Sequence, residues 1–327
     1  MTLFDFYHNN VPQFLAELAA TPPMQRLKSV GMNCGCEYTA FPRFASIGPY
    51  SRFTHSLGAG LITWHFTNDR AAAAAALLHD IATPVFAHTV DFLNGDYLLQ
   101  ESTESTTASV ILSSPELTEA LDRLSLSLSE VENYHIYPVA DNDSPKLSAD
   151  RLEYTLGNVV NFGFAGRSEV RCLYEDLSVC KNEFGEPELA FSDPKAAEAF
   201  AFLALQCSQV YVSPEDRYSM QILSELLSGA LEASVICRED LSRTEPEVIT
   251  KLTADSECAQ AWRKFTELSR MVPHEDYPER SRTVDAKKRR IDPLVQGQGR
   301  VSDLSADFCA ALLKFIAEDF TVPVAAV

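Results

Sequence analysis

Residues 70–80 read RAAAAAALLHD, and Pro84 follows shortly after. Alanine is the best helix former and carries little bulk, so neighbouring helices can approach such a segment closely. Proline cannot continue an α-helix. The stretch therefore predicts a helix over 70–80 that ends on His79 and Asp80, two polar side chains at the foot of an apolar element. Buried polar groups need a hydrogen bond or a metal in exchange for the water they lose. Adjacent helical residues diverge by about 100°, so the two can reach one common point only beyond the helix end.

Apolar residues recur at three- and four-residue spacing in segments 10–20, 52–68, 70–80, 101–112, 115–124, 147–160, 195–210, 215–236 and 255–270, many opening on a capping Ser, Thr, Asp or Pro. The fold class expected is mainly α. Short alternating runs around Asn182–Gly185, within 168–191, read as a β-hairpin lying on the helical body. The division expected is a core with the metal site over 1–165, a hairpin excursion over 166–192, a helical continuation over 193–270 and a C-terminal α+β appendage over 271–327. The basic run Lys287–Arg290 reads, taken alone, as a solvated loop beside a short strand.

Lys and Arg number 27 against 46 Asp and Glu, a formal charge of −19. That field repels nucleic-acid backbone and anionic lipid, so no nucleic-acid polymer or membrane partner is expected, and an anionic substrate needs a locally positive site. The N-terminus MTLFDFYHNN lacks a leader pattern and no apolar run spans a bilayer, which reads as cytoplasmic. Eight scattered cysteines without paired CxxC knuckles read as free thiols, the pair Cys34 and Cys36 as a turn. His8, His65, His135 and His274 are taken as structural or exposed.

Two further residues can join His79 and Asp80: His55 in YSRFTHSLG, at the start of the preceding helix, and Asp150 in SADRLEY. Two nitrogens and two oxygens suit one divalent ion among Mn, Fe, Co, Ni, Zn and Mg. The spacing alone does not restrict the choice.

The segments RFTHSLG, LLHD with FAHTVD, and SADRLEY resemble the HD-domain phosphohydrolase superfamily, and look most like its deoxynucleoside triphosphate triphosphohydrolase branch. The resemblance is strongest over 22–160. It implies an all-helical HD core with His55, His79, Asp80 and Asp150 as ligands of one metal. It also implies Arg52 and Arg151 as phosphate-binding groups, His88 as a catalytic histidine beside the acid Asp91, and Tyr154 as a substrate-pocket residue. Residue chemistry agrees, since Arg offers a planar fork to two phosphate oxygens and a carboxylate three residues from His88 can orient it. Departures from the branch are Thr83 in place of a second catalytic His, and Thr103, before the candidate acid Glu104, in place of another. Asn158 replaces the acidic residue that reads the sugar, and Met32–Asn33 a Gln-Leu pair.

The activity expected is metal-assisted hydrolysis of a phosphate ester or anhydride in a small nucleotide or nucleotide-like substrate. His88 protonates the leaving oxygen, with a homo-oligomer left open. The alternatives are a catalytically silent nucleotide-binding protein and an HD-type di-iron oxygenase, which needs two more His between His79 and Asp150, where only His88 and His135 stand. Because Met32, Asn33 and Asn158 differ from the branch, and Gln206 and Gln209 stand where a cation would be usual, ordinary deoxynucleoside triphosphates are not the substrates expected to be cleaved fastest.

Overall fold

A computed structural model of the protein describes residues 3–93, 106–285 and 287–327. The chain is mainly α-helical, an HD-type helical core carrying a small β excursion. At its centre the helices Arg52–Thr67 and Arg70–Leu78 pack face to face. Asn68 ends the first in a left-handed conformation, φ 52°. Asp69 opens the second by accepting from the backbone N–H groups of Ala71 and Ala72, so a two-residue turn reverses the chain. The backbones come close because the contact is made of small residues. A Cβ placed on Gly60 would stand 3.1 Å from both the Ala73 carbonyl oxygen and the Leu77 Cβ. The second helix closes at Leu78, and His79 and Asp80 occupy the turn beyond it.

The helix Ala149–Asn161, capped by Ser148, crosses the first of this pair. Two long helices, Pro194–Tyr211 and Pro214–Glu232, continue the body, each with proline in its first turn.

The hairpin is narrower than the sequence suggests. Residues Arg167–Glu175 form an amphipathic helix, and the strands are Leu177–Lys181 and Pro187–Phe191, paired antiparallel with Leu177 opposite Phe191. Gly185, at φ 81°, and the Asn182 side chain, which accepts from the N–H groups of Phe184 and Glu186, make the turn. Leu294–Val295 adds parallel to the second strand and pairs in turn with Gly299–Arg300, giving a four-stranded sheet.

Upstream of that strand, residues near 284–292 run as a strap tied down through backbone groups. Arg217, 2% exposed, donates to the carbonyls of Val212, Val284 and Phe320. Ser144 donates to Arg290 O at 3.0 Å, and Lys288 to the carbonyls of Ile316 and Glu318. Among the described residues no helix is long and apolar enough to cross a membrane. The eight cysteines are free thiols.

Candidate metal centre and its cavity

His55 projects from the first turns of the Arg52–Thr67 helix and is 1% exposed. Its Nδ1 stands 2.7 Å from Oε2 of Glu153, one turn along the crossing helix from Asp150. Glu153 is itself wholly buried and also accepts from the hydroxyls of Tyr50 and Tyr7. His79, past the end of the alanine helix, turns its Nδ1 to the Ala76 carbonyl at 2.7 Å and stacks on the Tyr134 ring, centroids 4.7 Å apart. With each Nδ1 proton given to an oxygen, each Nε2 is left as the lone-pair atom.

Those two Nε2 atoms face each other at 3.3 Å. Asp150 Oδ1 lies 3.0 Å from the first and 3.5 Å from the second, and Asp80 Oδ2 lies 3.9 and 3.6 Å away. Donor atoms of His55, His79 and Asp80 fall within 4.8 Å of one another, as ligands of one ion would. Two lone pairs converging beside two carboxylates demand a cation between them. A proton is the lesser substitute: burial opposes a charged His55, but its bonds to Asp150 and Glu153 outweigh that and lift its pKa to about 10. Asp80 moves the other way; burial would raise it, yet Arg52, His79 and His55 together hold it far below the usual carboxylate range. The residues present therefore fit a divalent metal.

Arg52 donates from Nη1 to Asp80 Oδ2 at 3.0 Å, while its buried Nε has no hydrogen-bond partner among the described residues. Thr83 donates to the other Asp80 oxygen at 2.8 Å, so the residue at the second-histidine position holds Asp80 in place. Phe86 and Ala87, at φ 57° and 45°, bend the chain sharply before His88, a strained pair of the kind that persists where the surroundings fix it. His88 Nδ1 meets Asp91 Oδ2 at 2.9 Å, and its Nε2 stands 3.4 Å from Nη2 of Arg289. Burial, with the charges of Arg289 and Arg52, lowers the His88 pKa to about 4 against the pull of Asp91.

These groups open on a cavity of about 570 Å³, within the range that holds a nucleotide-sized molecule. Tyr154, Asn158, Met32 and Asn33 line it. Asn158 donates to the Tyr211 hydroxyl at 2.7 Å, and its buried Oδ1 has no partner among the described residues. Burial lifts Asp216, on the same wall, to about 8, so it adds little negative charge there at neutral pH.

Several residues stand elsewhere than the sequence suggests. Arg151 does not line the cavity; its guanidinium is bound to Asp141 at 2.9 Å and to Asn142 and Ser148. Glu104 and Thr103 lie outside the described residues. Gln206 and Gln209 are exposed on the outer face of their helix and do not line the cavity, so they bear on no phosphate subsite. The basic run is not simply solvated. Asp285, Lys287 and Arg289 line the cavity, while Lys288 points away to the carbonyls of Ile316 and Glu318. His135 is exposed, as the sequence suggests, and lines the cavity as well.

No family model matches the chain. It is 25% identical to the metal-dependent phosphohydrolase cns2 of Cordyceps militaris over 303 residues, 87% of this chain and 81% of that protein. To the uncharacterized protein YdhJ of Bacillus subtilis it is 25% identical over 248 residues, 75% of this chain and 73% of the other. Among solved structures, a hypothetical protein from Aquifex aeolicus superposes with a TM-score of 0.63 at 19% identity, covering 97% of this chain and 92% of that one. A phosphohydrolase from Bacteroides thetaiotaomicron superposes equally well, TM-score 0.63 at 14% identity, covering 97% and 96%. These two share the fold.

Proposed function

We propose that the chain is a metal-dependent phosphohydrolase of the HD type, cleaving a phosphate ester or anhydride of a nucleotide or nucleotide-like molecule. One observation carries the reading. His55 and His79, each with Nδ1 tied to an oxygen, bring their Nε2 atoms to 3.3 Å between Asp80 and Asp150, on the wall of a cavity that Arg52, Lys287 and Arg289 also line. The name of the Cordyceps relative and the fold shared with the Bacteroides phosphohydrolase support an HD-like superfamily.

A divalent ion held by His55, His79, Asp80 and Asp150 would polarise a phosphoryl oxygen and acidify water. The chain's own groups do the rest. Arg52, through its unpartnered Nε, and Arg289 and Lys287 from the strap bind phosphate oxygens and supply the local positive charge that a chain of net charge −19 otherwise lacks. His88, oriented by Asp91, is neutral at neutral pH and so begins as a proton acceptor, not as the donor its sequence context implied. It receives the proton of the attacking water once a bound phosphate draws Arg289 from its Nε2. Tyr154 and Asn158 hold the nucleoside end, the open Asn158 Oδ1 accepting a hydroxyl or amino proton.

Elemental analysis of the purified protein and of Asp80→Ala, followed by assays of nucleotide mono-, di- and triphosphates with Mn, Co and Fe, tests the proposal. Bound metal in the wild type, little in the variant, and metal-dependent hydrolysis are expected. A wild-type protein that takes up no divalent metal, or hydrolyses nothing in the panel, refutes it.

A further inference from the structure

Glu245 is 3% exposed, opens the helix Glu245–Ala254 and does not line the cavity, and the chemistry described so far gives it no part. We propose that Glu245 is a positioning residue that sets His88 for the hydrolysis proposed above, on which this inference rests.

Three features carry it. The first is what the carboxylate holds. Its Oε1 accepts from the backbone N–H groups of Gly31 at 2.9 Å and Phe86 at 3.2 Å, and its Oε2 from the Tyr38 hydroxyl at 2.7 Å. A buried carboxylate is costly unless its oxygens are filled. Two of the donors that fill it are main-chain groups of segments that run on into the cavity. Gly31 bridges to Ser51, the neighbour of Arg52, and precedes Met32, Asn33 and Cys34 on the cavity wall. Phe86 stands two residues before His88.

The second feature is the backbone at that point. Phe86 and Ala87 are both left-handed, at φ 57° and 45°, a conformation that L-residues avoid and that persists where its surroundings fix it. The N–H that Glu245 grips belongs to the first of this pair. The direction in which His88 leaves the turn follows from these two residues, while Asp91 fixes only its Nδ1. Thr89, the residue after His88, donates to the Cys34 carbonyl at 2.7 Å, so the two segments that Glu245 joins are tied to each other again past His88.

The third is that this tie is one end of a bracket. The Leu241 carbonyl accepts from the Val85 N–H at 2.9 Å. The Arg243 carbonyl accepts from Arg26, whose Nη2 donates to the carbonyls of Ile81 at 3.0 Å and Thr83 at 2.7 Å. Residues 241–245 thus hold, directly or through Arg26, the stretch that runs from Asp80 to His88, and Glu245 holds it at the strained step nearest the histidine.

The test separates position from stability, at metal content checked to be unchanged. Glu245→Ala should lower kcat on p-nitrophenyl phosphate and on the nucleotide panel, with Mn, by about 10–100-fold, the scale of an ångström-sized displacement of a catalytic group. Glu245→Asp, one methylene too short to reach both N–H groups, should show the same loss and serves if the alanine variant does not fold. In Glu245→Gln the amide oxygen can accept from both N–H groups and the NH2 can donate to the Tyr38 oxygen, so kcat should stay within about 3-fold of wild type. Tyr38→Phe deletes the third bond without touching either segment; it should lower the melting temperature and leave kcat unchanged. In a His88→Ala background, Glu245→Ala should cost less than about 2-fold more, because nothing is left to position. Losses that multiply in the double variant, a kcat that falls in Tyr38→Phe as it does in Glu245→Ala, or full activity of the alanine and aspartate variants overturn the inference and leave the phosphohydrolase reading intact. A wild-type protein inert towards the aryl ester and every nucleotide overturns both.

Discussion

Replacing Glu153 with Gln isolates what a buried carboxylate does for His55, the metal ligand proposed above. The side chain is wholly buried and accepts from His55 Nδ1 at 2.7 Å, from Tyr7 at 3.3 Å and from the Tyr50 hydroxyl. The oxygen of an amide of the same shape can still accept from His55 and Tyr50, and the Tyr7 oxygen can accept from its NH2, so the hydrogen bonds survive and the charge does not. His55 then loses the anionic partner that fixes its tautomer and raises the basicity of Nε2. Removing such a supporting group weakens metal binding by about 10–100-fold, or about 1.4–2.7 kcal/mol. The metal-free protein loses about 1–2 kcal/mol, the difference between charged and neutral hydrogen bonds. Glu153→Ala, which leaves three buried groups without a partner, loses more. Competition with a chelator of known affinity gives the dissociation constant, and urea melts of stripped protein give the stability. A dissociation constant within two-fold of wild type, in a variant that is destabilised as expected, would show that Glu153 serves only the tyrosines and that His55 needs no help.

Gly58→Ala reaches the same carboxylate from behind: its Cβ would lie 2.5 Å from Glu153 Cγ. The variant should lose about 1–3 kcal/mol in melts and bind metal more weakly, whereas an unchanged melting temperature contradicts the contact. Arg289→Ala should raise KM about 10-fold or more at unchanged metal content, and, with one cation fewer beside His88, shift the acid limb of the pH–activity profile to higher pH. A profile that stays fixed or moves to lower pH contradicts that pairing. Glu37, lifted to about 7 by burial and by Glu245, contributes stability that is whole below its ordinary 4.5 and lost as pH rises through about 7. Glu37→Gln should remove about 1–3 kcal/mol of the decline seen in urea melts between pH 5 and 8, and an equally steep decline in the variant counts against it.

Much of the helical body is legible because local chemistry and tertiary need agree there. Ser51, Asp69, Ser148, Asp193 and Ser213 all cap the helices they precede, and the apolar spacing inside each helix matches what is buried. His55, His79, Asp80 and Asp150 converge because all four lie at helix ends or in first turns. Helix Arg167–Glu175 is read as part of a hairpin since its apolar positions are few and the turn signal at Asn182–Gly185 dominates its neighbourhood. Glu153 is opaque for another reason: a glutamate in mid-helix suggests solvent, and only the crossing of two helices buries it. The inward face of the strap and the ties from Glu245 to Gly31 and Phe86 depend on contacts between segments far apart in the chain or on irregular backbone, where no period exists to read.

The close contact at Gly60 has a consequence for how tightly the centre is toleranced. At this point Gly60 meets the Ala73 carbonyl oxygen and the Cα and Cβ of Leu77, atoms that no rotamer change can move. Repacking elsewhere in the core cannot be absorbed at this contact by a side chain swivelling out of the way. The helices that carry His55 and lead to His79 are held here backbone against backbone. The 3.3 Å separation of the two nitrogens is in effect machined into the backbone, and any larger residue admitted to this contact would be felt at the metal as a change in bite.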